Sequence, residues 1–168
     1  MRNFGLGVLV TLVFTAGAAY TAQRQPSNDQ VLREARDRAE IEDLMWRYAR
    51  ALDTGDGEAY AAAYTPDGQF SAGTTVTKGR DALRKLGTGQ PRTAATPARP
   101  PLYHMHANHA ITFIDRDHAR FDAYYLTARA AGGQDQPLQV VAVGRSVDEL
   151  VRQNGRWLIK SRNVAPTN

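Results

Sequence analysis

The first place in this sequence where chemistry could be done is a run of three polar side chains. His104, His106 and Asn108 stand at i, i+2 and i+4 in YHMHANHAITFI. In an extended chain they point together, while Met105 and Ala107 point the other way. Turned into a hollow, this row is a polar cluster in apolar surroundings, where an imidazole can exchange a proton near neutral pH. Turned outward, it is an ordinary solvated strand face. His109 has the opposite parity unless a bulge intervenes and reads as structural, and His118 falls in a turn. A carboxylate that could partner a histidine is Asp53, at the flank of a helical apolar stripe. The helix dipole disfavours a carboxylate at a helix C-terminus, so Asp53 is either a last-turn surface group or a pocket group with a role. Tyr48 lies five residues before it. Tyr60, Tyr64, Tyr103 and Tyr125 are further polar-tipped aromatics, a type that is most often core with one satisfied hydroxyl.

Several chemistries are excluded or unsupported. The chain has no cysteine, which removes disulfides, thiolate zinc sites and cysteine nucleophiles. His104 and His106 with Asp53 could bind a metal, but no second acidic residue sits at ligand spacing on the strand, and no metal is expected. No phosphate-binding glycine loop, nucleophile elbow or dinucleotide fingerprint occurs, so no cofactor is expected. The formal net charge is +4. The excess is scattered arginine, among them Arg80, Arg120, Arg152 and Arg162, without a basic block or basic–aromatic interleaving. It reads as a mildly basic solvated surface, and a nucleic-acid partner is not expected.

These residues need elements to position them. Ile41, Leu44, Met45, Tyr48 and Leu52 form one stripe of period 3.6, which predicts a helix over 31–52 that Asp53 closes and Gly55 stops. Asp56 caps a second helix over 57–64. Thr65-Pro66-Asp67-Gly68 reads as a turn, with a short strand over 69–72. A third helix follows over 80–86, then a proline-rich loop over 87–101 that could act as a lid. From Leu102 the pattern turns to strands: 103–114, 119–130, 138–152 and 156–164, the last two joined by the hairpin signal Asn154-Gly155. Trp157 and Phe70 read as core. Helices followed by an antiparallel meander predict an α+β fold, with three helices on one face of a curved sheet and a conical hollow between them.

Before this domain, assigned to residues 31–168, come two other segments. Arg2, the apolar stretch from Phe4 to Ala19 and the small residues Ala16-Gly17-Ala18 form a secretory-signal pattern over 1–22, with cleavage expected after Ala18. The protein is expected to be exported, periplasmic or secreted. An uncleaved N-terminal anchor is the alternative, and would be its one membrane contact. Residues 23–30 read as a polar linker.

The stretch from Arg38 to Phe70 (RAEIEDLMWRYARALDTGDGEAYAAAYTPDGQF), together with KGRDALRKL, HMHANHAITFIDRDHARFDAYYL and GRSVDELVRQNGRWLIKSR, resembles SnoaL-like domains of the nuclear transport factor 2-like superfamily. The order and spacing match over about residues 31–165. The nearest resemblance is to the dehydratase-like branch, and it implies that Tyr48, Asp53 and His104 meet in the pocket as a catalytic set. In that reading His104 is the general base, Asp53 holds its imidazole, and Tyr48 donates to a developing oxyanion. Tyr64, His106, Asn108, Tyr125 and Ser146 are then substrate-binding candidates. Ser146 stands where many relatives carry tyrosine, which predicts a wider pocket. The implied activity is that of a cofactor-independent lyase or isomerase acting on a small hydrophobic carbonyl compound. The alternative is a non-catalytic module that binds a small molecule. The resemblance also implies a homodimer paired through the convex sheet face.

Overall fold

A computed structural model describes residues 25–89, 102–130 and 137–166 of the 168-residue chain. The expected N-terminal signal and most of the 87–101 and 131–137 loops lie outside the described residues. Helix α1 spans Asn28–Thr54 and begins three residues earlier than its apolar stripe suggests. Ser27 is the reason: its hydroxyl accepts from the Gln30 amide at 3.2 Å, capping a turn that hydrophobic periodicity cannot register. Residues 28–30, read from sequence as part of a polar linker, are therefore helical. At the other end Gly55 takes the left-handed conformation, φ 70°, and stops the helix. Asp56 caps α2, Gly57–Ala62, through the Ala59 amide.

Strand β1, Tyr64–Ala72, starts where the second helix was expected to finish. The expected turn at 65–68 is instead an irregularity inside this strand, between Tyr64 and Gln69. Pro66 has no amide to give to a ladder, and the Thr65 hydroxyl bonds the Asp67 carboxylate. A hairpin through Gly73 leads to β2, Thr75–Lys78, which has no clear sequence signal. Helix α3, Arg80–Thr88, follows. Strands β3 (Leu102–Phe113), β4 (His118–Arg129), β5 (Gln139–Gln153) and β6 (Arg156–Asn163) form the meander.

The six strands make one curved sheet in the order β2-β1-β6-β5-β4-β3. It is mixed rather than wholly antiparallel, because β1 and β6 run parallel. The first strand pairs with the last one, about ninety residues on, and no short-range signal reports that closure. Ile41, Leu44, Met45 and Tyr48 of α1 are buried against Phe121, Leu150, Trp157 and Ile159 of the sheet. A narrow apolar stripe meeting the concave face is what holds helix and sheet together.

Arg152 fastens one end of α1 to the sheet. Its guanidinium lies 4.5 Å from the Trp157 ring centre and pairs with Asp37, with Glu40 at 3.6 Å and with Asp117 at 3.5 Å. It is thus not a free surface charge, contrary to the reading of scattered solvated arginines. Helices α2 and α3 cross closely through glycines: a Cβ on Gly87 would lie 2.5 Å from the Tyr60 Cβ. Gly87→Ala should therefore push α3 away from Tyr60 and cost about 1–3 kcal/mol by overpacking. A thermal melt checks this, and an unchanged midpoint would show that α3 shifts freely.

Candidate functional site

The last turn of α1 and the edge strand β3 bring a histidine and an aspartate together. The Asp53 carboxylate Oδ1 accepts from the His104 backbone amide at 2.9 Å and lies 2.8 Å from His104 Nδ1. Strand β3 pairs with β4 alone, so its outer edge has amides to spare, and Asp53 takes one. Two donors and the Arg50 guanidinium at 3.8 Å offset the unfavourable placement of a carboxylate at a helix C-terminus. The Asp53 side chain is only 10% exposed. An ionised carboxylate can only accept, so His104 carries its proton on Nδ1 and leaves Nε2 with a free lone pair.

His104 lines a cavity of about 360 Å³ between the helices and the sheet. This is at the lower end of the volumes typical of small-molecule sites. Leu52, Phe70, Leu86 and Val164 contribute apolar walls, while Tyr48, Tyr60, His106, Tyr125 and Arg162 contribute polar atoms or aromatic faces. Tyr48 is 3% exposed, and burial raises its hydroxyl pKa, so it remains a proton-bearing donor at neutral pH.

The structure separates the other sequence candidates. His106 lines the cavity beside Tyr48, with ring centres 6.0 Å apart. Tyr125 also lines it, its hydroxyl donating to the Val164 carbonyl at 3.1 Å. Gly144 makes room for that ring: a Cβ there would lie 2.8 Å from the Tyr125 hydroxyl. Tyr64 is fully buried below the cavity, with its hydroxyl 3.1 Å from that of Tyr60. Ser146 is also fully buried and does not line the cavity, so it does not widen it. The cavity reaches the Tyr125–Gly144 row of the sheet and ends above the Ala123–Ser146 row.

Asn108 leaves the row altogether. The strand bulges between Ala107 and Ala110, Asn108 takes φ 46°, and its side chain is exposed. The two-residue alternation ends there. His109, beside the bulge, stays exposed and stacks on Phe121, ring centres 5.2 Å apart, with Nε2 3.2 Å from Glu42. Among the described residues, no three His, Asp or Glu side chains converge as a metal-binding group.

The residue that sequence reasoning missed is Arg162. It is 2% exposed, and it pairs with the fully buried Asp148, its neighbour across strands β5 and β6. Its guanidinium lies 4.5 Å from the Tyr48 ring centre and 2.6 Å from His106 Nε2. Burial pushes the Asp148 carboxyl up to about 7, against the pull of Arg162. His106 is pushed down to about 3 by burial first and then by the Arg162 charge. One signal was available: Asp148 shares the inward parity of Leu150 on β5, and a carboxylate at a core position needs a cation.

A curved sheet closed by helices over an apolar cavity, with a His–Asp pair at its wall, defines an α+β cone built to hold a small molecule. Residues 33–163 match the family model of the SnoaL-like domain, and the chain belongs to that family. Among solved structures it is similar to a protein of unknown function from Mycobacterium tuberculosis, at 25% identity, over 82% of this chain and 76% of that one, with a TM-score of 0.68. It is also similar to a Catenulispora acidiphila protein solved in complex with S-DNPA, at 30% identity, over 76% and 91%, TM-score 0.60. A candidate scytalone dehydratase from Novosphingobium aromaticivorans shares the fold at 23% identity, over 82% and 89%, TM-score 0.66. No curated protein matches the chain.

Proposed function

We propose that the cavity is the active site of a cofactor-independent lyase or isomerase acting on a small hydrophobic carbonyl compound. The carrying observation is the double acceptance by Asp53 from the His104 amide and Nδ1, which leaves Nε2 as the available base in an apolar cavity. His104 Nε2 removes a proton from the carbon next to the carbonyl, and the C–H electron pair moves to the carbonyl oxygen as an enolate. Tyr48, kept protonated by burial, donates to that oxygen. Asp53 stabilises the imidazolium so formed. In a dehydration, the enolate electrons then form the carbon–carbon double bond as a hydroxyl leaves from the next carbon. That hydroxyl takes the proton from His104 and departs as water. In an isomerisation, the same proton returns to a different carbon. The ligand-bound Catenulispora relative supports a small molecule in this kind of cone.

A non-catalytic binding module is the rival reading, and an Asp53 facing solvent would have favoured it. The experiment that separates the two is exchange in D2O, read by NMR, across a panel of cyclic ketones and β-hydroxy ketones. An enzyme of this kind washes the α-proton of an accepted ketone into solvent, or releases water from the hydroxy ketone. A protein that binds panel members yet leaves every α-proton in place would be a binding module.

The homodimer belongs to this reading as well. Tyr103, Tyr124, Val140 and Val143 are 44%, 58%, 61% and 71% exposed on the sheet face away from the helices, an apolar surface that a second copy would cover. Light scattering should give twice the chain mass, and Val143→Glu should return the monomer. A monomeric wild-type protein would end this part of the proposal.

A further inference from the structure

The cavity holds two histidines, and the structure gives them opposite duties. Arg162 has no lone pair to offer, so at 2.6 Å it can only donate to His106 Nε2. The neutral His106 ring must then carry its proton on Nδ1. His106 lines the cavity, and among the described residues no partner is placed at its Nδ1. The ring is held in place by Tyr48 on one side and the edge contact with Phe121, 6.1 Å away, on the other. Arg162 is itself held by Asp148, across strands β5 and β6.

We infer that His106 is not a second base but a fixed hydrogen-bond donor, its Nδ1–H aimed at the carbonyl oxygen of the bound molecule, with Arg162 and Asp148 as the positioning residues that set its tautomer. The inference rests on the proposed carbonyl substrate and adds to it a second donor, two residues along β3 from the His104 base. The physical logic is a division between neighbours on one strand. Asp53, an acceptor, leaves His104 with a free lone pair. Arg162, a donor, leaves His106 with a free N–H. The groups facing His106 agree with this. Burial first, then Arg162 from β6 and the neighbouring His104 and His109, oppose its protonation, while the buried Asp148 is occupied by Arg162. A neutral imidazole is a weaker acid than an imidazolium, but it donates without giving the proton away, which suits an enolate oxygen.

The tautomer is measured directly by long-range 15N–1H correlation on the 15N-labelled full chain. The expected result is Nδ1–H for His106, with no titration between pH 8 and pH 5. Arg162→Met combined with Asp148→Leu removes both buried charges together and so spares the fold. In that variant His106 should lose its single tautomer and titrate closer to the ordinary imidazole range. An Nε2–H tautomer in the wild type, or an unchanged His106 in the double variant, would overturn the inference. For the donor role, 4-nitrophenol serves as the probe, since its phenolate mimics an enolate oxygen and absorbs visibly. His106→Leu should weaken phenolate binding about ten- to hundredfold, the loss expected for a hydrogen bond to a charged oxygen. Equal binding in this variant, or no phenolate binding by the wild type at millimolar concentration, would also overturn it. Neither measurement uses turnover. A protein that catalyses nothing could still carry this donor, and a catalytic one could lack it, so the two failures are distinguishable.

Discussion

Replacing His104 with alanine lowers turnover of an accepted substrate about 10²–10⁴-fold while the melting temperature stays within a few degrees of wild type, the loss typical of a removed general base. The fold survives because the imidazole is partly exposed, at 24%, and its packing contribution is small. The backbone amide at position 104 still donates to Asp53, so the contact between α1 and β3 persists. Asp53→Asn should fall in the same range for a different reason. The side-chain amide oxygen can still accept from the His104 amide and Nδ1, but it carries no negative charge to stabilise the imidazolium that forms. Full turnover of the His104→Ala variant, measured under single-turnover conditions, would remove His104 from the mechanism and return the protein to a binding role.

Arg162→Ala should be the most destabilising change in the cavity wall. It leaves Asp148 fully buried without its cation, and breaking a buried pair from one side costs about 3–5 kcal/mol. For a domain of this size that lowers the melting temperature by roughly 10–15 °C. The deficit also depends on pH in a stated direction. The Asp148 carboxyl has an unfolded value of 3.8 and is pushed up to about 7 when folded, so between those values the folded state holds a proton that the unfolded state has released. Stability from this group is therefore present at low pH and lost as pH rises through the folded value. Without Arg162 the folded value climbs further, and the variant should be weaker at pH 8 than at pH 5. The Arg162→Met, Asp148→Leu pair should recover most of the loss, because no buried charge is left alone. A single variant as stable as wild type at pH 8 would mean that water reaches Asp148.

The sequence by itself determined the elements and most of their order. Hydrophobic period fixed α1 and the four-strand meander, because side chains on one face of a helix or strand must recur at 3.6 or 2 to be buried together. The family resemblance implied that Tyr48, Asp53 and His104 belong together; Tyr48 and His104 line the cavity, and Asp53 lies behind His104 without lining it. Strand parity sufficed for His104 and His106, which are two residues apart, and failed at Asn108, where the bulge changes the count.

Tertiary structure alone decided the rest. The parallel pairing of β1 with β6 joins residues about ninety apart, a closure set by how the helices fill the cone and not by any local pattern. The burial of Arg162 follows from it. An arginine between Ser161 and Asn163 reads as a surface charge. It becomes the floor of a cavity only when β5 sets Asp148 beside it and α1 lays Tyr48 over it. The depth of Ser146 below the cavity and the exposure of Asn108 have the same origin. Local spacing says which side chains share a face, but which face is hollow, and how deep the hollow runs, depends on the curvature of a whole sheet around a particular helix.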